Sequence, residues 1–174
     1  MHIVLGSLLG CRHQAIVVGT DMDALKSTKI VIAGIGNYYR CDDGAGPQIA
    51  DEVAEITNID NIGPISEPLD LIEQFEGVKL AILIDAMKSG EPPGTIRIFD
   101  VDLLSDTKQL TSTHGIGLGR TLQLADALGK SPEKVIVVGI EGKVFGDGNQ
   151  LSPEVREAIP DAVKIIDQFI LSQS

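Results

Sequence analysis

The chain has 174 residues, of which 43% are hydrophobic and 3% aromatic, and it carries a formal net charge of −11. This length suits one domain with a single sizeable core, which must consist mainly of Ile, Val, Leu and Ala because aromatic residues are scarce. The negative charge argues against nucleic acid and anionic membranes as partners, since both recruit basic surfaces. No apolar run approaches the roughly 18 residues that a membrane-spanning helix needs.

We expect residues 1–28 to be an N-terminal extension of uncertain structure and residues 29–174 to form a single α/β domain. The apolar start is short and has no Lys or Arg before it, which is not typical of a signal peptide. The two cysteines, Cys11 and Cys41, form neither a disulfide framework nor a CxxC pair. A reducing compartment is the simplest interpretation, and we expect a cytoplasmic protein.

Strand-like and helix-like segments alternate from Lys29 onward. Uninterrupted apolar runs predict buried parallel strands, and apolar residues spaced three and four apart predict helices. In chain order, the prediction is strand 30–35, loop 36–46, a helix with Pro47 at its first position, strand 61–65, short helix 69–75, strand 80–84, edge strand 95–99, a helix that Gly129 ends, strand 135–140 and a final helix from Ser152.

The apolar face of each long helix can be read from the same spacing. The first face comprises Ile49, Val53 and Ile56; the second Leu118, Leu122, Ala125 and Leu128; the last Val155, Ile159, Val163, Ile166 and Phe169 or Ile170. Thr111, Ser112 or Thr113 can cap the second of these helices, and Pro160 is expected to kink or split the last one. Alternating strands and helices predict a three-layer α/β/α fold with a mostly parallel, twisted central sheet of about five strands.

Three polar positions follow strand-like runs or open a helix: Asp43, Asp85 and His114. The carboxyl ends of parallel strands meet at one edge of an α/β sheet, so these side chains are expected to converge there. Two carboxylates and one imidazole suit a divalent metal bound through oxygen and nitrogen. A histidine that opens a helix is favoured in its neutral form, which is the form that binds metal.

Each candidate also has a plainer interpretation. Asp42 and Asp43 could serve only as turn residues, with Asp42 orienting its neighbour or capping a helix. Asp85 could cap a helix or pair with a lysine. Cys41 is not expected to be a nucleophile, because the adjacent carboxylates disfavour its thiolate, although soft metal coordination stays open. A dinucleotide site is disfavoured because the glycine fingerprint is incomplete, with Tyr39 at its third position.

The motifs together resemble the hydrogenase maturation endopeptidases, from about Lys29 to the end of the chain. The segments that carry the resemblance are residues 34–37 with 42–46, Asp85-Ala86, Pro93-Gly94, residues 114–118 with Leu122 and Leu124-Ala125, and residues 138–141. The resemblance implies a protease-like domain that removes a C-terminal extension from the precursor of a nickel–iron hydrogenase large subunit after nickel insertion. It also implies that Asp43, Asp85 and His114 contact nickel, which the precursor is expected to carry, and that residues 38–41 shape specificity. Many relatives have Glu where this chain has Asp43, which is one methylene shorter.

Two rival functions stay open at this point. A phosphoacceptor receiver domain also uses an acidic pair, a strand-end aspartate and a later lysine, which Asp42 with Asp43, Asp85 and Lys143 imitate. However, six residues separate the first strand from the acidic pair, and such a domain has no use for His114. A non-catalytic nickel-binding maturation chaperone on the same scaffold is the second rival.

Overall fold

The computed structural model describes residues 29–101 and 115–172. Within these ranges the strands are β1 (Ile30–Ile35), β2 (Asp60–Asn61), β3 (Leu80–Met87), β4 (Ile96–Val101) and β5 (Lys134–Glu141). The helices are α1 (Ala45–Thr57), α2 (Leu71–Gln74), α3 (Gly115–Ala127) and α4 (Pro153–Ser172), with 3-10 turns at Cys41–Gly44 and Pro68–Asp70. The predicted caps Thr111, Ser112 and Thr113 and the predicted extension 1–28 lie outside the described residues.

The five strands form one sheet in the order β2-β1-β3-β5-β4. All neighbouring pairs are parallel except β4 with β5, which is antiparallel. This arrangement confirms the predicted mostly parallel sheet, and it confirms that the segment around Arg97 is an edge strand. We call the side of the sheet where β1, β3 and β5 end the carboxyl edge.

Each face of the sheet carries its own hydrophobic core, because successive side chains of a strand point to opposite faces. One core joins the sheet to α1 and α4, and the other joins it to α2 and α3. Helices therefore cover both faces, as the predicted α/β/α layering requires. No helix among the described residues is both long and apolar enough to cross a membrane.

The second strand is shorter than predicted. Instead of residues 61–65, β2 contains only Asp60–Asn61, and Ile65 forms a single bridge with Ile35. The backbone N–H of Ile62 still donates to the carbonyl of Ile32 at 2.9 Å. Pro64 has no N–H to donate, which explains why the ladder is interrupted between these contacts.

Three details of the helices differ from the prediction. Helix α1 begins at Ala45, two residues before Pro47, which is possible because the first helical N–H groups need no intrahelical partner. Ile56 and Leu128 are 61% and 56% exposed, since each lies near the end of a helix or beyond it. Helix α4 is not split at Pro160, because the apolar residues on both sides of the proline pack in the same core.

Candidate active site

Asp43 lies in the 3-10 turn that follows β1, and its side chain is almost completely buried, with 4% of the residue exposed. Its Oδ2 atom accepts a hydrogen bond from the backbone N–H of Asn37 at 3.0 Å. The Nε atom of Arg40, whose side chain is mostly exposed, lies 4.0 Å from the same oxygen. The carboxylate is therefore held within its own loop, close to the carboxyl edge.

Two glycines allow this loop to pack directly on the strand ends. Gly36 has φ +131°, and a Cβ atom there would lie 2.0 Å from the carbonyl oxygen of Asp43. A Cβ atom on Gly46 would lie 2.5 Å from the carbonyl oxygen of Ile84 and 2.7 Å from that of Ile35. The segment that carries Asp43 thus rests on the ends of both β1 and β3, beside the strand that carries Asp85.

The apolar run alone predicts that Asp85 lies just after β3. In the structure it lies inside β3, because this strand continues to pair with β5 as far as Met87. The residue is completely buried, and it is aligned with Ile35 on one side and Gly139 on the other. By strand alternation its side chain points to the same face as Leu83, which is the face covered by α2 and α3.

His114 lies outside the described residues. The helix that follows it, α3, begins at Gly115 and packs on the Asp85 face of the sheet. A Cβ atom on Gly117 would lie 3.5 Å from Cγ of Pro68, and Ile65, three residues before that proline, bridges to Ile35 at the end of β1. The beginning of α3 is therefore at the carboxyl edge, as are Asp43 and Asp85.

The strand order makes this position the natural ligand site of the fold. The chain passes from β1 to β2 on one side and then to β3 on the other, so the order reverses between β1 and β3. Open α/β sheets bind ligands at such switch points, outside the carboxyl ends of the strands. Asp43 follows β1 and Asp85 lies near the end of β3, so the switch point is lined by carboxylates.

Asp42 points away from this site and is fully buried. Its Oδ2 atom accepts hydrogen bonds from the backbone N–H groups of Lys143 at 2.7 Å and Val144 at 2.8 Å. Ser152 donates to it twice, from the backbone N–H to Oδ1 at 2.6 Å and from Oγ to Oδ2 at 2.9 Å. Burial raises the pKa of this carboxyl, but the hydrogen bonds outweigh burial and the pKa lies below its ordinary value.

Glu141, at the end of β5, is a second buried carboxylate with a structural role, and the sequence motifs do not predict this role. It accepts hydrogen bonds from the backbone N–H groups of Ser89 and Gly90, both at 2.8 Å, and from Ser89 Oγ at 2.7 Å. Burial raises its pKa, but the hydrogen bonds outweigh burial, so the net pKa is depressed. A signal is nevertheless present, because Glu141 is the first charged residue after an uninterrupted apolar run, as Asp85 is.

The two outer residues that imitate a receiver domain, Asp42 and Lys143, make other contacts in the structure. Lys143 Nζ forms an ion pair with Glu154 Oε1 at 2.6 Å, and the Asp42 carboxylate is occupied by backbone donors. Both residues are therefore engaged in contacts outside the Asp43–Asp85 edge. Cys41 is half-buried, and its Sγ atom lies 3.9 Å from the carbonyl oxygen of Asp147.

The part of the chain that the structure describes contains no group of three or more His, Cys, Asp or Glu side chains arranged to hold a metal ion. The fold and the switch point, with its two buried carboxylates, define a doubly wound α/β protein with an acidic site at its carboxyl edge.

Comparison with known proteins identifies the class more closely. The sequence model of the family described as hydrogenase maturation protease (HycI) matches residues 50–168. The putative hydrogenase maturation protease MJ0253 of Methanocaldococcus jannaschii is 31% identical over 153 residues, which cover 82% of this chain and 96% of that protein. The hydrogenase 3 maturation protease of Escherichia coli K12 is 28% identical over 134 residues, covering 74% of this chain and 83% of that protein.

The structure of the hydrogenase maturating endopeptidase HybD from E. coli has the same fold, with a TM-score of 0.74. It is 20% identical and covers 84% of this chain and 94% of that one. The chain belongs to the hydrogenase maturation protease family. It is a maturation endopeptidase, and its reaction is the cleavage of the C-terminal extension of a hydrogenase large subunit.

Proposed function

We propose that the endopeptidase recognises nickel carried by the large-subunit precursor and that Asp43, Asp85 and His114 contact this metal during cleavage. The main support is that two buried carboxylates lie at the β1–β3 switch point, where open α/β sheets bind their ligands. The position of His114 immediately before α3 is consistent with a third donor at this edge.

The donor set fits a metal that belongs to the substrate. Carboxylate oxygens and an imidazole nitrogen are suitable ligands for a divalent transition metal. Three donors leave coordination positions for ligands from the precursor, so the protein need not hold the ion by itself. The metal is in this sense part of the substrate, and it makes cleavage conditional on nickel insertion.

Once docked, the metal could position the scissile peptide, polarise its carbonyl group or activate a water molecule. A carboxylate that acts as a general base is a further role for Asp43 or Asp85. The depth of both carboxylates favours a role in positioning and electrostatics, because charges act more strongly where water is excluded. We also propose that the protein acts in the cytoplasm, since its cysteine usage fits a reducing compartment.

The direct test uses mass spectrometry to follow the C-terminal peptide released from a candidate large-subunit precursor, with and without nickel. Wild type is compared with Asp43→Asn, Asp85→Asn and His114→Ala, and with Asp147→Asn as an exposed control of the same charge change. We expect wild type and the control to cleave only the loaded precursor, and each site variant to be at least about 100-fold slower.

Two results would contradict the proposal in different ways. Equal cleavage of loaded and nickel-free precursor would show that the metal is not recognised. Release of no peptide by wild type from the loaded precursor would favour the non-catalytic chaperone for this chain and would contradict its assignment as a protease.

A further inference from the structure

We propose that Asp42 is a positioning residue for the cleavage reaction: it fixes the turn that carries Asp43 by binding that turn to the loop after β5. The inference rests on the proposed role of Asp43. Asp42 touches neither the metal nor the peptide in this scheme, and it acts through the backbone that it shares with its neighbour.

The contact is made by the side chain of Asp42 against a distant part of the chain. The hydrogen bonds that its carboxylate accepts come from residues 143, 144 and 152, about a hundred positions further on. Backbone N–H groups of all three residues are among the donors. A carboxylate accepts without donating, so both of its oxygens match this set of donors, whereas an asparagine would present an NH₂ group to at least one of them.

Backbone hydrogen bonds extend the same contact on both sides of Asp42. The N–H of Cys41 donates to the carbonyl of Gly148 at 2.8 Å, and the N–H of Gly148 donates to the carbonyl of Tyr39 at 2.9 Å. The N–H of Asp42 donates to the carbonyl of Val144 at 3.0 Å. Because β3 lies between β1 and β5 in the sheet, this contact joins the loops on either side of the strand that carries Asp85.

The loop before the turn holds the Asp43 side chain through Asn37, but the backbone of the turn itself is less regular. It is a four-residue 3-10 turn, its backbone bond from Asp43 N–H to Arg40 carbonyl is long at 3.3 Å, and Cys41 has φ +52°, which is uncommon for a residue other than glycine. A short turn of this kind depends on outside contacts to keep one geometry. Loss of the Asp42 contact therefore moves Asp43, and a displacement of about 1 Å in a reacting group can cost 100-fold in rate.

The test measures kcat and KM for nickel-loaded precursor with the full chain, at a temperature at which circular dichroism shows every variant to be folded. The variants are Asp42→Asn, which disturbs the whole set of bonds, and Ser152→Ala, which removes only the hydroxyl bond. Val53→Ala, buried in α1 and away from the turn, controls for lost stability, and Asp147→Asn controls for lost charge in the same loop.

We expect Asp42→Asn to lower kcat at least about tenfold while KM stays within about twofold, because the reacting groups are misplaced but the docking surface remains. Ser152→Ala should lower kcat by about two- to fivefold, and both controls should keep the wild-type kcat. A purely structural role would instead appear as a lower folded fraction by circular dichroism, with the kcat per folded molecule unchanged from wild type.

A kcat for folded Asp42→Asn within twofold of wild type would overturn the inference, as would an equal loss of kcat in Val53→Ala. If Asp42→Asn does not fold, an unchanged kcat in Ser152→Ala overturns it. Asp43→Asn separates this result from the parent proposal. If Asp43→Asn cleaves at the wild-type rate, the metal-contact site is wrong, whereas an inactive Asp43→Asn beside a fully active Asp42→Asn contradicts only the positioning role.

Discussion

Replacement of Gly36 by alanine should affect both the stability of the fold and the position of Asp43. Gly36 has φ +131°, a backbone conformation that L-residues with a Cβ atom rarely adopt. The new Cβ atom would also lie 2.0 Å from the carbonyl oxygen of Asp43 and 3.4 Å from its Cγ atom. The perturbation therefore combines backbone strain with a steric clash against the candidate site.

The size of the effect follows from these two contributions. A non-glycine residue in such a conformation costs about 1–3 kcal/mol, and overpacking of a well-packed contact costs about as much again. We therefore expect the free energy of unfolding of Gly36→Ala to fall by about 2–6 kcal/mol. Relief of the clash requires the Asp43 carbonyl to move by more than about 1 Å, so precursor cleavage should slow by about 100-fold.

Two other glycines separate strain from clash. Gly77 has φ +70°, but a Cβ atom added there would have nothing within 4 Å, so Gly77→Ala tests strain alone and should cost about 1–2 kcal/mol. Gly146 is open and has no positive φ, so Gly146→Ala should change stability by less than about 0.5 kcal/mol. The assays are urea unfolding and cleavage of nickel-loaded precursor.

The expected order of destabilisation is Gly36→Ala, then Gly77→Ala, then Gly146→Ala, with a loss of cleavage only in the first. Gly36→Ala with the stability and cleavage rate of Gly146→Ala would refute the reasoning, because neither strain nor clash would then exist in solution. Equal stabilities for Gly36→Ala and Gly77→Ala would refute the clash alone.

Two further predictions concern stability. The pKa of Glu141 is lower in the folded protein than in the unfolded chain. Ionised Glu141 therefore stabilises the fold at pH values above the ordinary glutamate pKa, and this stabilisation is lost as the pH falls through the lower folded pKa. Glu141→Gln should therefore lower the free energy of unfolding in urea by about 1–3 kcal/mol at pH 7, and the difference from wild type should shrink in acid. A difference that does not depend on pH would contradict this prediction. Ile82 is buried in the centre of β3, so Ile82→Ala should lower the free energy of unfolding by about 2–5 kcal/mol. Ile56 is 61% exposed, so Ile56→Ala should lower it by less than about 0.5 kcal/mol. Equal losses of stability in the two variants would contradict the burial pattern.

Much of the fold could be predicted because burial imposes a local pattern on the chain. The apolar runs that became β1, β3 and β5 are continuous in the sequence, since helices cover both of their faces. The edge strand β4 is less apolar and only Val101 in it is buried, because the strand pairs with β5 alone. The first polar residues after such runs also indicated the carboxyl edge, although the position of His114 in space stays a prediction.

Where the local pattern failed, a distant part of the chain had decided the outcome. β3 continues through Asp85 to Met87 because β5 pairs with it along its whole length. Ile56 fits the helical spacing, but it lies at the end of α1 and is not part of the core that packs against that helix. A local residue pattern carries no information about these contacts with distant parts of the chain.

The two neighbouring aspartates show most clearly what each level of structure determines. The sequence by itself placed Asp42 and Asp43 in a loop after a buried strand and indicated that one of them belongs to a site. Only the tertiary structure separated them, because the donors that occupy Asp42 come from residues about a hundred positions away, while Asp43 is left beside the strand of Asp85. The physical reason is that a carboxylate's role depends on which groups surround it, and here folding brings those groups together.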